Sequence, residues 1–236
     1  MSCSEIFRFK RFEICQDRVL MKITTDAVIL GVLTDTSDAL AALDVGTGSG
    51  VVAMMLAQKN RKLRVDGLEP HLPSAETARL NFKNAPFSGR LRIFVRSLQD
   101  FIPEAPYDLI VSNPPYYPAS AKTDYNPARM NTTLRLADLF GFARNFLHEN
   151  GRLNLIFPSA NDADVLAAAY TNDLFPVRKI IVSAHPGAQA KRSFWMFTRE
   201  VDRDFEKGEL ILFDRSGKRT EVFNRLVSAY LQDDEN

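Results

Sequence analysis

With 236 residues, 45% hydrophobic and 25% charged, the chain has the length and composition of one α/β domain with a sizeable core, which excludes general disorder and two independent domains. A formal net charge of +1 and a pI near 7.8 exclude a globally basic nucleic-acid binder, so any such contact has to come from a local patch. Cys3 and Cys15 lack disulfide-framework or zinc-ligand spacing and suit a reducing cytoplasm, residues 1–22 lack the apolar run of a secretory signal, and no stretch nears the roughly 20 apolar residues that span a bilayer.

In chain order, Ile6 to Ile14 alternates apolar and charged residues apart from the Lys10-Arg11 step, and reads as an amino-terminal strand or hairpin. Thr24 to Gly31 places capping side chains ahead of an apolar run, which predicts a short helix entering the core. From residue 40 the pattern alternates: strand Leu40 to Val45, helix Ser49 to Lys59, strand Leu63 to Glu69, helix Pro73 to Asn84, then strands Leu91 to Val95 and Tyr107 to Ser112. A helix near Leu136 to Leu147 and a strand Arg152 to Phe157 continue a parallel sheet flanked by helices. Val177 to Ser183 and Ser193 to Arg199 are separated by too few residues for a crossover helix, so they are expected to pair antiparallel. Leu210 to Phe213 and Val222 to Leu231 predict a closing strand and helix.

The segment Asp44-Val45-Gly46-Thr47-Gly48-Ser49-Gly50 closes one strand and opens a helix, where the backbone has to turn sharply and admit a ligand without a Cβ in the way. Its G-x-G-x-G spacing differs from the G-x-G-x-x-G dinucleotide fingerprint. Glu69 ends the next strand, where a carboxylate can accept both hydroxyls of a ribose. Strand, loop, helix and acid in this order point to an adenosyl cofactor, which S-adenosylmethionine and NAD would both satisfy.

Strand Tyr107 to Ser112 delivers Asn113-Pro114-Pro115-Tyr116 to the same edge of the sheet as the glycine loop. An exocyclic amine such as adenine N6 is a poor nucleophile because its lone pair is delocalised into the ring. Two acceptors on its hydrogens, the Asn113 side-chain carbonyl and the Pro114 main-chain carbonyl, would pull the nitrogen toward tetrahedral geometry and free the lone pair. The successive prolines fix φ and hold that carbonyl in place, and Tyr116 can stack on a flat substrate. Asn113, Pro114 and Tyr116 are therefore the candidate catalytic residues.

Over nearly its whole length the sequence resembles the bacterial tRNA1(Val) adenine-37 N6-methyltransferase family. The resemblance rests on Phe7-Arg8-Phe9-Lys10-Arg11-Phe12, Met21-Lys22-Ile23-Thr24-Thr25-Asp26, the glycine loop, Asn113-Pro114-Pro115-Tyr116-Tyr117, and Arg129 ahead of a helix. It implies a class I methyltransferase Rossmann-like fold: seven strands, mostly parallel with an antiparallel last strand, helices on both faces, and a short strand and helix extension. Residues 1–39 would form that extension, 40–200 the catalytic core, and 201–236 a strand and helix tail. The implied reaction is N6-methylation of adenine 37 in tRNA1(Val), with S-adenosylmethionine as cofactor and tRNA as partner. A cytoplasmic monomer needing neither membrane nor metal is expected. Cofactor contacts would fall on Asp44, Gly46, Thr47, Gly48, Gly50, Glu69 and Asn113, with Asp44 orienting the methionine end through the backbone or a water.

Where the family carries an acid for the cofactor adenine amine, this chain has Ser97, so Ser97, Asp100 or a main-chain carbonyl has to serve. The stretch 117–135 is longer than the roughly 12–15 residues at which structureless loops become unusual and reads as a substrate-gripping loop. Pro115, Tyr117, Arg8, Lys10, Arg11, Lys122 and Arg129 are the candidate substrate contacts, with Arg135, Lys191 and Arg192 as further cations for a phosphate patch. Competing readings are glutamine N5-methylation of a release factor, DNA adenine methylation, and an RNA-binding module with a vestigial cofactor pocket. Residues 1–39 are too short for the helical domain of the first, and the chain lacks room for the target-recognition domain of the second.

Overall fold

Short apolar runs rich in Val, Ile, Leu and Phe form the strands. The computed structural model describes residues 3–114, 134–201 and 203–232. At its amino end β1 (Ile6–Arg8) and β2 (Glu13–Cys15) pair antiparallel in a separate two-stranded sheet, with Phe7 opposite Ile14. Helix α1 (Thr25–Leu33) follows, capped by Thr24, whose hydroxyl accepts from Ala27 N.

The core alternates β3 (Ala41–Val45), α2 (Val51–Lys59), β4 (Arg64–Leu68), α3 (Leu72–Asn84), β5 (Leu91–Phe94) and β6 (Tyr107–Ser112). It continues with α4 (Leu136–Phe146), β7 (Leu147–Pro158), α5 (Asp162–Thr171), β8 (Phe175–Ser183), β9 (Arg192–Thr198), β10 (Glu206–Ile211) and α6 (Glu221–Val227). The main sheet is eight-stranded, ordered β10-β8-β9-β7-β6-β3-β4-β5. Only β9 runs against the others, pairing antiparallel with both β7 and β8.

Side chains alternate across the sheet with period 2. Leu109 and Val111 of β6 and Phe194 and Met196 of β9 face one core with residues of α1, α2 and α6. Ile110, Trp195 and Phe197 face the other with residues of α4 and α5. Successive strands run outward from β3 to β5, then return to β6 on its other side. That reversal opens a crevice at the carboxyl ends of β3 and β6, the usual ligand site of open α/β sheets.

The class expected from the sequence stands, and the expected antiparallel pairing of 177–183 with 193–199 is present. The strand count differs: β10 extends the sheet to eight, parallel to β8, and the antiparallel β9 lies inside the sheet between β7 and β8. Helix α5 was not foreseen, and it supplies the crossover that parallel β7 and β8 require.

The separation of the two cysteines is corrected as well, because a disulfide joins Cys3 to Cys15. The hairpin register continues past β1 and β2 through Gln16 N to Glu5 O, which folds residue 3 back onto residue 15. The inference of a reducing compartment from unpaired cysteines loses its support.

Candidate active site

The glycine loop is held from below and open above. Gly46 N and Thr47 N both donate to Leu68 O, at 2.9 and 3.1 Å, and Gly50 N donates to Thr47 O at 2.8 Å. Gly46, Gly48 and Gly50 have φ of 72°, 56° and 87°, the left-handed region that disfavours other residues. A Cβ on Gly50 would overlap the Phe82 ring, whereas nothing lies within 4 Å of that position at Gly46 or Gly48. The loop therefore needs glycine for packing at one end and leaves room for a ligand at the other.

Asp44, buried at the end of β3, accepts from Thr47 Oγ1 at 2.6 Å and from Ala53 N at 3.1 Å through one carboxylate oxygen. It thereby caps the first turn of α2, which Gly50 cannot do with a side chain of its own. Burial pushes its pKa up to about 6, against the lowering pull of the Thr47 and Ala53 bonds and with a small addition from Glu69. Glu69 is fixed by two main-chain donors, Gly48 N at 3.0 Å and His71 N at 2.9 Å, and burial raises its pKa too. Each of its oxygens keeps lone-pair capacity for a ligand hydroxyl.

Asn113 stands at the end of β6, and Ser112 Oγ donates to Val45 O at 2.9 Å, which locks the end of β6 to the end of β3 beside the glycine loop. The side-chain oxygen of Asn113 is buried and has no hydrogen-bond partner among the described residues. A buried acceptor left unpaired costs about 1–3 kcal/mol, and such atoms are uncommon in folded proteins. Here it lines a cleft shared with Gly46, Gly48, Glu69 and Ser97.

Of the two candidates for the cofactor adenine, Ser97 lines the cleft and Asp100 does not. Ser97 Oγ donates to Asp100 Oδ2 at 2.5 Å, so the serine oxygen is left as an acceptor and the aspartate stands behind it. Sequence reasoning missed Leu20, Met21 and His71 in the lining. His71 caps α3, where its Nδ1 accepts from Ser74 N. Its only sequence signal is its place two residues after Glu69. Leu20 and Met21 give none beyond the match at Met21 to Asp26.

Among the described residues, none of the cations expected to form a phosphate patch lines the cleft. Arg8 pairs with Glu13 across the hairpin at 3.0 Å, Lys10 Nζ donates to Ser228 O at 2.9 Å, and Arg11 is exposed. Arg135 pairs with Asp138 at 2.8 Å, Arg192 with Asp26 at 2.7 Å, and Lys191 is exposed. Pro115, Tyr116, Tyr117, Lys122 and Arg129 lie outside the described residues.

Residues 24–172 match the methyltransferase small domain family. A tRNA1(Val) (adenine(37)-N6)-methyltransferase of Flavobacterium johnsoniae is 36% identical over 234 residues, a match covering 96% of this chain and 100% of the relative. Its namesake in Actinobacillus pleuropneumoniae serotype 7 is 33% identical, covering 98% of both chains. Among solved structures, a predicted O-methyltransferase from Agrobacterium tumefaciens aligns with a TM-score of 0.71 at 20% identity, over 87% of this chain and 96% of its own. Ribosomal protein L11 methylase from Lactobacillus delbrueckii subsp. bulgaricus aligns at 0.57 and 19% identity, over 79% and 84%. At such identities the structural likeness extends to the fold alone.

Proposed function

We propose that this chain, which belongs to the tRNA1(Val) (adenine(37)-N6)-methyltransferase family, transfers a methyl group from S-adenosylmethionine to N6 of adenine 37 in tRNA1(Val). The observation that carries the reading is the buried, unpartnered Asn113 carbonyl beside the glycine loop. When bound, S-adenosylmethionine supplies an activated methyl group on a sulfonium, so the transfer calls for neither a metal nor a nucleophilic side chain.

The chain's own residues then have to hold and orient. Asn113 Oδ1 and the Pro114 carbonyl accept from the two hydrogens of the target amine and localise its lone pair on nitrogen. The loop Gly46, Thr47, Gly48 and Gly50 admits the cofactor, Glu69 accepts from its ribose hydroxyls, and Asp44 orients its methionine end. Ser97, backed by Asp100, accepts from its adenine amine. Tyr116 stacks on the target base, with Pro115 and Tyr117 beside it. Most of the rate comes from positioning.

An adenine in an anticodon loop is extruded at less than the few kcal/mol a duplex base demands, which favours RNA loops over duplex DNA. Arg8, Lys10, Arg11, Lys122 and Arg129 contact the tRNA backbone. The chain works as a cytoplasmic monomer of one domain, with 1–39 as extension, 40–200 as core and 201–236 as tail. Among the described residues no helix is long and apolar enough to cross a membrane.

The test is incubation of the purified protein with methyl-labelled S-adenosylmethionine and unmodified tRNA1(Val), beside a transcript carrying guanine at position 37. Label recovered as N6-methyladenosine from the first transcript alone supports the reading. Label in neither, or in both equally, overturns it.

A further inference from the structure

Helix α3 carries a polar stripe that none of the roles above uses. Ser74, Thr77 and Asn81 follow one another at spacings of three and four, on one helix face, and are only 1%, 6% and 2% exposed. Polar side chains buried on a helix face are stable only when paired, and these three pair with the main chain of one segment.

Asn81 Oδ1 accepts from Cys15 N at 2.8 Å, and its Nδ2 donates to Cys15 O at 3.0 Å. Thr77 Oγ1 donates to Asp17 O at 2.6 Å, and Ser74 Oγ accepts from Leu20 N at 3.2 Å. Residues 15, 17 and 20 are thus laid against 81, 77 and 74, so the extension runs antiparallel to α3, toward the helix end that His71 caps.

One end of this clamp lines the cleft and the other holds the glycine loop. Past Ser74 the segment presents Leu20 and Met21 to the lining, with 51% and 41% of their surface uncovered. At the other end Asn81 Nδ2 also donates to Ser49 O, inside the glycine loop, at 2.8 Å. One buried amide therefore ties the extension to the loop. Between the anchors Arg18 holds a left-handed φ of 62°, which costs a non-glycine residue energy, and its guanidinium pairs with Glu76 of α3 at 3.2 Å. The path of the segment is imposed by the helix rather than relaxed.

We infer that Ser74, Thr77 and Asn81 are positioning residues for the cofactor: by gripping residues 15, 17 and 20 they hold Leu20 and Met21 in one wall of its cleft, and Asn81 sets the glycine loop. The inference rests on the reading of that cleft as the S-adenosylmethionine site. It gives the extension a role in cofactor affinity that its basic residues do not suggest.

Thr77→Val, which keeps shape and removes the donor, Thr77→Ser, which restores it, and Asn81→Ala test the idea by calorimetry with S-adenosylhomocysteine and by steady-state kinetics. If the full worth of the Thr77 bond to the part-buried Asp17 carbonyl goes into placing the wall, its loss corresponds to about a tenfold loss of affinity. The expected result is a rise of about that factor in the S-adenosylhomocysteine Kd and the S-adenosylmethionine KM for Thr77→Val, and a larger one for Asn81→Ala. kcat and the tRNA KM stay within about twofold, and Thr77→Ser binds like the wild type. Amides 15–21 also lose protection from hydrogen exchange in Thr77→Val.

Unchanged cofactor affinity in folded Thr77→Val overturns the inference while leaving the methyltransferase reading intact, and so does a rise confined to the tRNA KM. Wild-type protein that binds no S-adenosylhomocysteine overturns both. Should Asn81→Ala fail to fold, the two Thr77 variants decide alone.

Discussion

The two sides of the cleft treat buried polar atoms in opposite ways. On the glycine-loop side Asp44 and Glu69 are each held by two donors, and the loop amides of Gly46 and Thr47 share the Leu68 carbonyl. On the other side Asn113, one residue beyond a strand end locked by Ser112, keeps a carbonyl oxygen that no described residue satisfies. A satisfied network fixes shape before a ligand arrives, while an orphaned acceptor holds its interaction in reserve for the ligand. On the proposed function, the first side binds the cofactor and the second acts on the target amine.

Asn113→Ala gives the largest effect and tests that division most directly. Removing one preorganised electrostatic contact to a reacting group typically lowers kcat by about 10²–10³. The loss should fall on kcat in single-turnover methylation of tRNA, with the S-adenosylhomocysteine Kd within about threefold of wild type. A variant that lost cofactor affinity and kept turnover would exchange the roles of the two sides.

The glycine-loop side was readable from sequence because its constraints are local. Three glycines at left-handed φ, an acid before them and an acid at the end of the next strand all lie within one strand-helix-strand unit. Strand β6 was readable to the residue because a run of apolar residues ends at a proline pair. The stripe Ser74, Thr77 and Asn81 was not. On a helix, polar residues at i, i+3 and i+7 read as a solvent-facing surface, and only the distant extension makes them interior.

Helix α5 was missed for a related reason, since Val165 and Ala169 are its only buried residues and leave a thin apolar signal. The place of β9 between β7 and β8 was equally hidden. Antiparallel pairing with β8 could be inferred from the short connection, but the connection does not say which side of β8 faces the rest of the sheet.

The second prediction concerns pH and separates shape from charge on the glycine-loop side. The Asp44 carboxyl titrates at about 6 in the fold against 3.8 as its ordinary value, so between those pH values the folded protein binds the extra proton. The contribution of this group to stability is therefore full below pH 3.8 and lost as pH rises through about 6, a span on the order of 3 kcal/mol. Asp44→Asn, uncharged at every pH, should raise the melting temperature of the ligand-free protein at pH 7.5 and weaken its dependence on pH between 5 and 7.

Cofactor binding should run the other way, because a cationic ligand favours ionised Asp44. Affinity for S-adenosylmethionine falls as pH drops below about 6, and Glu69, also raised by burial, steepens the fall. A pH-independent affinity from 5 to 8, or an Asp44→Asn variant less stable at pH 7.5, would mean that Asp44 serves the fold alone.

The smallest effect is expected from Arg8, Lys10 and Arg11, and it bears on what the extension is for. Arg8 already pairs with Glu13, an exposed contact worth about 0–1 kcal/mol, and Lys10 is turned to the Ser228 carbonyl, so neither points into the cleft. If these side chains meet phosphates, the triple alanine variant raises the tRNA KM several-fold, and each lost contact lowers the salt slope of binding by about 1. S-adenosylhomocysteine affinity stays at the wild-type value. A variant with unchanged salt dependence would move RNA binding to Lys122 and Arg129. The hairpin would then be left with the task its buried partners suggest, since Ser74, Thr77 and Asn81 of α3 all grip main chain of residues 15, 17 and 20, which leads to the cleft.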